Sequence, residues 1–207
     1  MGMTIHYRGR LDDTKLVSKL CNEVCDIAKT MGWESQTLDD DWTKLPDASL
    51  GEGGTIHGHL GLKGVSISPH PESESLALFF DRDGRLRSPM TMLLILDGSL
   101  ESEIAWIPIK TQFAGPDTHV WVIGFLKYLK KRYISNLEVS DESQYWDTGD
   151  RQELERGMDL INSKIDFISS ELSSNRMGGL SDLSADEIAL RIEKMFINDN
   201  NDNKNNQ

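Results

Sequence analysis

Apolar positions along this chain switch between two periods. Thr4 to Arg8 predicts a short strand. Leu16, Val17, Leu20, Cys21, Val24, Ala28 and Met31 then recur at helical spacing. Asp12 or Asp13 offers an N-cap, and Gly32 stands where a left-handed C-cap residue is wanted, so a helix is expected over 13–31. Gln36 to Gly54 shows no period and carries Asp39-Asp40-Asp41, Pro46 and Gly51-Glu52-Gly53-Gly54. It is expected to be a surface loop, with Trp42 folded inward as an anchor or offered as a contact.

A β-rich region follows. Ile56, Leu60 and Leu62 lead into Val65 and Ile67, and the parity changes at Lys63-Gly64, which implies a bulge or a tight turn. Leu76, Leu78 and Phe80 alternate, and Asp83-Gly84 supplies a hairpin signal before Leu86. Met92 to Leu96 is a continuous apolar run, expected as a strand buried on both faces and turned by Asp97-Gly98. Ala105, Ile107 and Ile109 alternate around Pro108, which points to an edge position or a bulge. Gly115-Pro116-Asp117 opens a helix that is apolar on most sides through Leu129, and Leu137 to Val139 is a last strand.

The clearest pattern lies further on. Asp150-Arg151-Gln152-Glu153 is a capping-box sequence. Leu154, Met158, Ile161, Ile165, Ile168 and Leu172 follow at spacings of 4, 3, 4, 3 and 4. They make a narrow apolar seam on a helix roughly 34 Å long. The seam is expected to pack within the chain, or else on a second copy or a protein partner. Gly/Ser-rich residues 175–183 form a linker. A second capping box at Ser184–Glu187 opens a helix bearing Ile188, Ile192, Met195 and Phe196. The Asn/Asp-rich end is expected to be disordered.

This order predicts an α+β fold: a single antiparallel sheet with helices packed on one face, plus a C-terminal helical appendage. The expected domains are a globular part over 1–149, a helical hairpin or appendage over 150–197 and a tail over 198–207.

Composition narrows the function more than the fold. The chain has 207 residues and a net charge of −12. From Asp150 onward 12 acidic residues face 7 basic ones, so the acidity is not confined to a tail. An acidic surface repels phosphate backbones, which argues against nucleic-acid binding. No apolar run is long enough to span a membrane, and the start lacks the pattern of a secretory leader, so a cytoplasmic protein is expected. Cys21 and Cys25, four apart on one helix, are poorly placed for a disulfide and are expected to be buried free thiols.

Several residue groups offer chemistry. His57 and His59 would lie side by side on an extended strand, as paired metal ligands must, with His70 or His119 as a third. The preferred alternative is a solvent-facing pair, so no cofactor is expected. Asp81-Arg82-Asp83-Gly84 starts like a calcium loop, but Met92 stands where the bidentate Glu is needed. Lys127, Lys130, Lys131 and Arg132 form a basic cluster at a helix C-terminus, a candidate anion or acidic-partner site. Tyr145 and Trp146 precede the seam helix and offer a small-ligand contact or a staple to the core. The sequence contains no G-x-S-x-G elbow, P-loop, G-x-G-x-x-G or H-E-x-x-H. The chain is therefore read first as a non-catalytic binding or accessory protein acting through protein–protein contacts. The alternatives are a small metal-dependent enzyme centred on His57 and His59, and a small-ligand module near Tyr145 and Trp146.

Overall fold

The computed structural model describes residues 3–173 together with Ser184 and Glu187. The elements are β1 (Thr4–Arg8), α1 (Val17–Met31), β2 (Glu34–Asp39), β3 (Ser49–Leu50), β4 (Ile56–His57), β5 (Lys63–Ser68), β6 (Leu76–Phe80), β7 (Leu86–Arg87), α2 (Pro89–Leu96), β8 (Ile107–Lys110), α3 (Gly115–Arg132), β9 (Glu138–Asp141), α4 (Tyr145–Thr148) and α5 (Arg151–Ser173). The chain divides into two compact units, one ending at Met158 and the other beginning at Asp159. The division falls inside α5.

Helices and antiparallel strands are mixed, as the pattern predicts. The expected single sheet is not found. The strands form three sheets, ordered β8-β1-β9, β2-β5-β6-β7 and β3-β4. One cause is the run Met92 to Leu96. It is helical, within α2, so the second sheet ends at β7. A continuous apolar run fits a buried strand and a buried helix equally well. The local caps decide: Ser88 accepts from Thr91 N–H, the Thr91 hydroxyl accepts from Ser88 N–H, and Pro89 occupies the first turn.

The two larger sheets are stitched together. Beyond β1 the chain crosses to the other sheet, where Leu86 N–H donates to Gly9 O at 2.9 Å and Leu11 N–H to Gly84 O at 2.8 Å. Arg10 and Arg85 face each other in this antiparallel bridge. The fully buried Tyr7 hydroxyl donates to Ala77 O at 2.7 Å and accepts from Ala77 N–H at 3.0 Å. Glu74 and Lys110 exchange a third pair of bonds, at 3.0 and 2.7 Å. One core serves both sheets, with Ile5, Leu20, Ile67, Leu78, Ile109 and Leu126 among its members. Full burial of each aliphatic side chain contributes about 1.5–3 kcal/mol.

Helix α1 ends on Gly32 in the left-handed region, φ 70°, as expected. Its inward face is Val17, Leu20, Val24 and Ala28. Cys21 and Cys25 stand one residue beyond that stripe and are half-buried free thiols, not the buried ones expected. Burial, helped by the neighbouring Cys25, still pushes the Cys21 thiol up to about 11, so little thiolate forms near neutrality. The segment expected as loop 36–54 contains most of β2, a largely exposed strand, together with β3.

Helix α5 is capped by Asp150, whose Oδ1 accepts from Gln152 N–H at 3.0 Å and Glu153 N–H at 3.1 Å. Glu153 does not complete the box. Its carboxylate pairs with Arg156 at 2.5 Å instead. Leu154 and Met158 are buried, and a Cβ on Gly157 would come within 2.6 Å of Met3 Cε, so the helix backbone approaches closely there. Ile161 is half-buried and Ile165 is 40% exposed. The side chains of Ile168 and Leu172, the linker, most of the helix expected after it and the Asn/Asp tail lie outside the described residues. Ser184 and Glu187 do form a reciprocal capping box, with bonds of 2.8, 2.9 and 3.3 Å. No helix of the described residues is long and apolar enough to cross a membrane.

Candidate functional site

The sequence candidates scatter over the surface. His57 ends β4, is exposed, and lies close against Gly51. Gly58 has φ 87°, so the chain is not extended through to His59, and the strand geometry that would align the two rings is missing. His59 is partly buried, and neither of its ring nitrogens has a hydrogen-bond partner. Among the described residues no three His, Cys, Asp or Glu side chains are grouped to hold a metal ion. Two other candidates do meet. Lys127 Nζ and Lys130 Nζ lie 5.4 and 5.8 Å from the centre of the Trp146 ring, so the α3 lysines cover the aromatic of α4. Tyr145 packs against the core beside it. Arg132 turns the other way, 3.5 Å from Glu23 on α1, and Lys131 is exposed.

A buried polar cluster was not anticipated. His119 on α3 has Thr111 Oγ1 at 2.7 Å from Nδ1, and Ser143 Oγ at 3.0 Å and Asp141 Oδ1 at 3.3 Å from Nε2. These are the residue types of a nucleophilic triad, wired differently. Serine and aspartate crowd the same ring nitrogen, and Ser143 Oγ also donates to Asp141 at 2.8 Å. The His119 and Asp141 side chains are fully buried, so no substrate reaches them. The cluster locks α3, β9 and the start of α4, since Asp141 also accepts from Trp146 N–H at 2.9 Å.

Burial raises the affinity of Asp141 for a proton, but the bonds from His119, Ser143 and Trp146 outweigh it and hold the carboxyl below its usual range. A depressed folded-state value stabilises the protein above the ordinary carboxylate range and ceases to do so as pH falls through it. Asp141→Asn is expected to lower stability at pH 7 by about 1–3 kcal/mol. The gap to wild type should close below about pH 4. Denaturant midpoints at pH 7 and pH 3 check this; a gap of equal size at both would contradict it.

Four arginines gather in a polar cleft of about 310 Å³ beside the bridge between the sheets. Arg8 comes from β1, Arg10 from its extension, Arg85 from across the bridge and Arg87 from β7; Ser102, Asn136 and Glu138 are also on the wall. Alternate residues of an extended chain share a face. Arg8-Gly9-Arg10 and Arg85-Leu86-Arg87 are thus two arginine pairs that the Arg10–Arg85 pairing sets together. Those repeats are visible in the sequence, but the residues that face each other across the bridge are not.

Three of these guanidiniums have carboxylate partners: Arg8 with Glu138 at 2.7 Å, Arg85 with Glu103 at 2.7 Å and Arg87 with Asp81 at 3.1 Å. Arg10 pairs with no carboxylate among the described residues; its Nε donates to the Asp83 carbonyl at 2.6 Å. Arg87 is 3% exposed and also donates to Ser102 Oγ at 2.6 Å. Burial draws its proton affinity below the usual guanidinium range, against the pull of Asp81, and it stays charged. Glu103 and Glu138 are exposed side chains. Ion pairs of that kind are worth about 0–1 kcal/mol, so a competing anion displaces them at little cost. Arg8 is also braced against the Trp106 ring, its Cζ 4.4 Å from the centroid.

No family model, curated protein or solved structure matches this chain.

Proposed function

We propose that this protein is a non-catalytic binding protein that takes a single anionic group, a phosphate or a carboxylate, in the arginine cleft. The observation that supports it is the convergence of Arg8, Arg10, Arg85 and Arg87 in a chain of net charge −12. Guanidinium forks match these oxyanions bidentately. No histidine or cysteine lines the cleft, and its glutamates sit in ion pairs with Arg8 and Arg85, which suits recognition better than proton transfer. The acidity of the remaining surface disfavours a polyanion such as nucleic acid, whose affinity rests on many phosphate contacts.

Titration with inorganic phosphate at low ionic strength tests the proposal. Saturable binding is expected, weakened at least tenfold by Arg10→Ala and strengthened by Glu103→Gln, which removes a competing charge. Absence of binding at millimolar phosphate, or equal affinity in wild type and Arg10→Ala, counts against it.

A second reading keeps the part of the α5 seam beyond the buried Leu154 and Met158, at Ile161 and Ile165, as a surface for a protein partner or a second copy. What favours it is the exposure of the seam residue Ile165, 40%, with the apolar Leu160 also exposed nearby on the same helix. Light scattering on wild type and Ile165→Asp distinguishes a dimer held by this seam from a monomer.

A further inference from the structure

We infer that the cleft selects an oxyanion whose oxygens carry no hydrogen, an ionised carboxylate or the dianion of a phosphate ester, over free inorganic phosphate. This rests on the arginine cleft being the anion site. The two neutral polar side chains on its wall are Ser102 and Asn136. A hydroxyl or an amide can offer a ligand either a donor or an acceptor. The bonds these two make leave their donors for the ligand.

Ser102 Oγ accepts from Arg85 Nη1 at 3.0 Å and from Arg87 Nη2 at 2.6 Å. A hydroxyl oxygen has two acceptor positions and one hydrogen. Both positions are filled, and the O–H donates to no acceptor among the described residues. Asn136 is oriented by the backbone. Arg10 N–H, which can only donate, lies 3.0 Å from its side chain, so the atom facing it is Oδ1 and the NH2 is the opposite end. That NH2 also has no acceptor among the described residues. The Arg10 guanidinium adds further donors, of which only Nε–H is taken, by the Asp83 carbonyl. The other side-chain acceptors on the wall are the carboxylates of Glu103 and Glu138. They hold Arg85 and Arg8, and an anion arriving at those arginines takes their place. An exposed glutamate so displaced swings to solvent. Hydrogen phosphate brings one O–H of its own, which then faces donors. A donor set against a donor is an unmade hydrogen bond, and leaving one unmade costs more than making it gains.

The test is calorimetric titration at pH 8 with sulfate and with inorganic phosphate. Both are tetrahedral dianions there, and they differ by the one O–H. Sulfate is expected to bind at least tenfold more tightly. Asn136→Asp keeps the oxygen that Arg10 N–H needs and exchanges the NH2 for an acceptor. It should narrow the ratio of the two affinities at least threefold, whereas a loss of structure alone would weaken both anions alike and leave the ratio unchanged. Methyl phosphate and acetate then distinguish the two carriers: the tighter of them assigns a phosphate ester or a carboxylate. If phosphate binds as tightly as sulfate, with the arginine dependence given above, or if Asn136→Asp leaves the ratio unchanged, this inference fails and the anion site stands. If neither anion binds, both fall.

Discussion

Gly64→Ala is expected to prevent this protein from folding. Gly64 sits on β5, paired with Leu38 of β2 on one side and Phe79 of β6 on the other. Its φ is 152°, a region that side chains rarely enter. A Cβ there would lie 2.1 Å from Leu78 O and 2.6 Å from Phe79 Cα. Both are backbone atoms of a fully buried strand, so no side chain can swing aside. Relief requires parting β5 from β6, which carries Leu76, Leu78 and Phe80 in the core. Losses above about 4 kcal/mol come from this kind of conflict, and a domain has only about 5–15 kcal/mol in total. Gly98→Ala is the control: its φ is 81°, but nothing lies within 4 Å of the added Cβ. Circular dichroism of both variants decides the matter. A Gly64→Ala protein that melts within a few degrees of Gly98→Ala would show that β5 and β6 do not pack as closely as described.

The bulge or tight turn expected at Lys63-Gly64 is not there: both residues lie within β5, paired in unbroken register with β2 and β6. Legible instead were α1 and α3, where period and glycine or proline boundary agree, and the start of α5 with its capping aspartate. The strand partners were not legible. Alternation marks which side chains share a face and is silent on which strand lies alongside. The reading of Met92 to Leu96 shows the cost: once that segment is a helix, the sheet stops at β7 and β8 joins β1 instead. The candidate sites divide in the same way. The His57–Gly58–His59 spacing aligns two rings only if Gly58 is extended, and a glycine is the residue freest not to be. The arginine cleft needs a pairing between residues 10 and 85, which no spacing announces. His119 reads as a spare ligand in the sequence; its three polar partners, Thr111, Asp141 and Ser143, all lie outside α3, before it and after it in the chain.

The double replacement Leu154→Ala/Met158→Ala is expected to cost far more than Ile161→Ala/Ile165→Ala. Leu154 and Met158 are 0% and 2% exposed and belong to the first compact unit, which ends at Met158. Truncating a buried leucine or methionine costs about 2–5 kcal/mol, the upper part where the site cannot collapse. Collapse is restricted here. Asp150 fixes the start of the helix, Arg151 ties it to Asp117 of α3 at 2.5 Å, and Gly157 already has its backbone against Met3. At about 2–4 °C per kcal/mol for a chain of this size, the two truncations together should lower the melting temperature by roughly 15–40 °C. Ile165, 40% exposed, has less surface to lose from burial, so its truncation with the half-buried Ile161 should move the melting temperature by only a few degrees. Thermal melts of the two double variants, with light scattering on each, separate the possible roles of one apolar seam. If instead Ile161→Ala/Ile165→Ala proves the more damaging and also lowers the particle mass, the seam beyond Met158 is buried between copies, and its exposure in a single chain marks where the second copy sits.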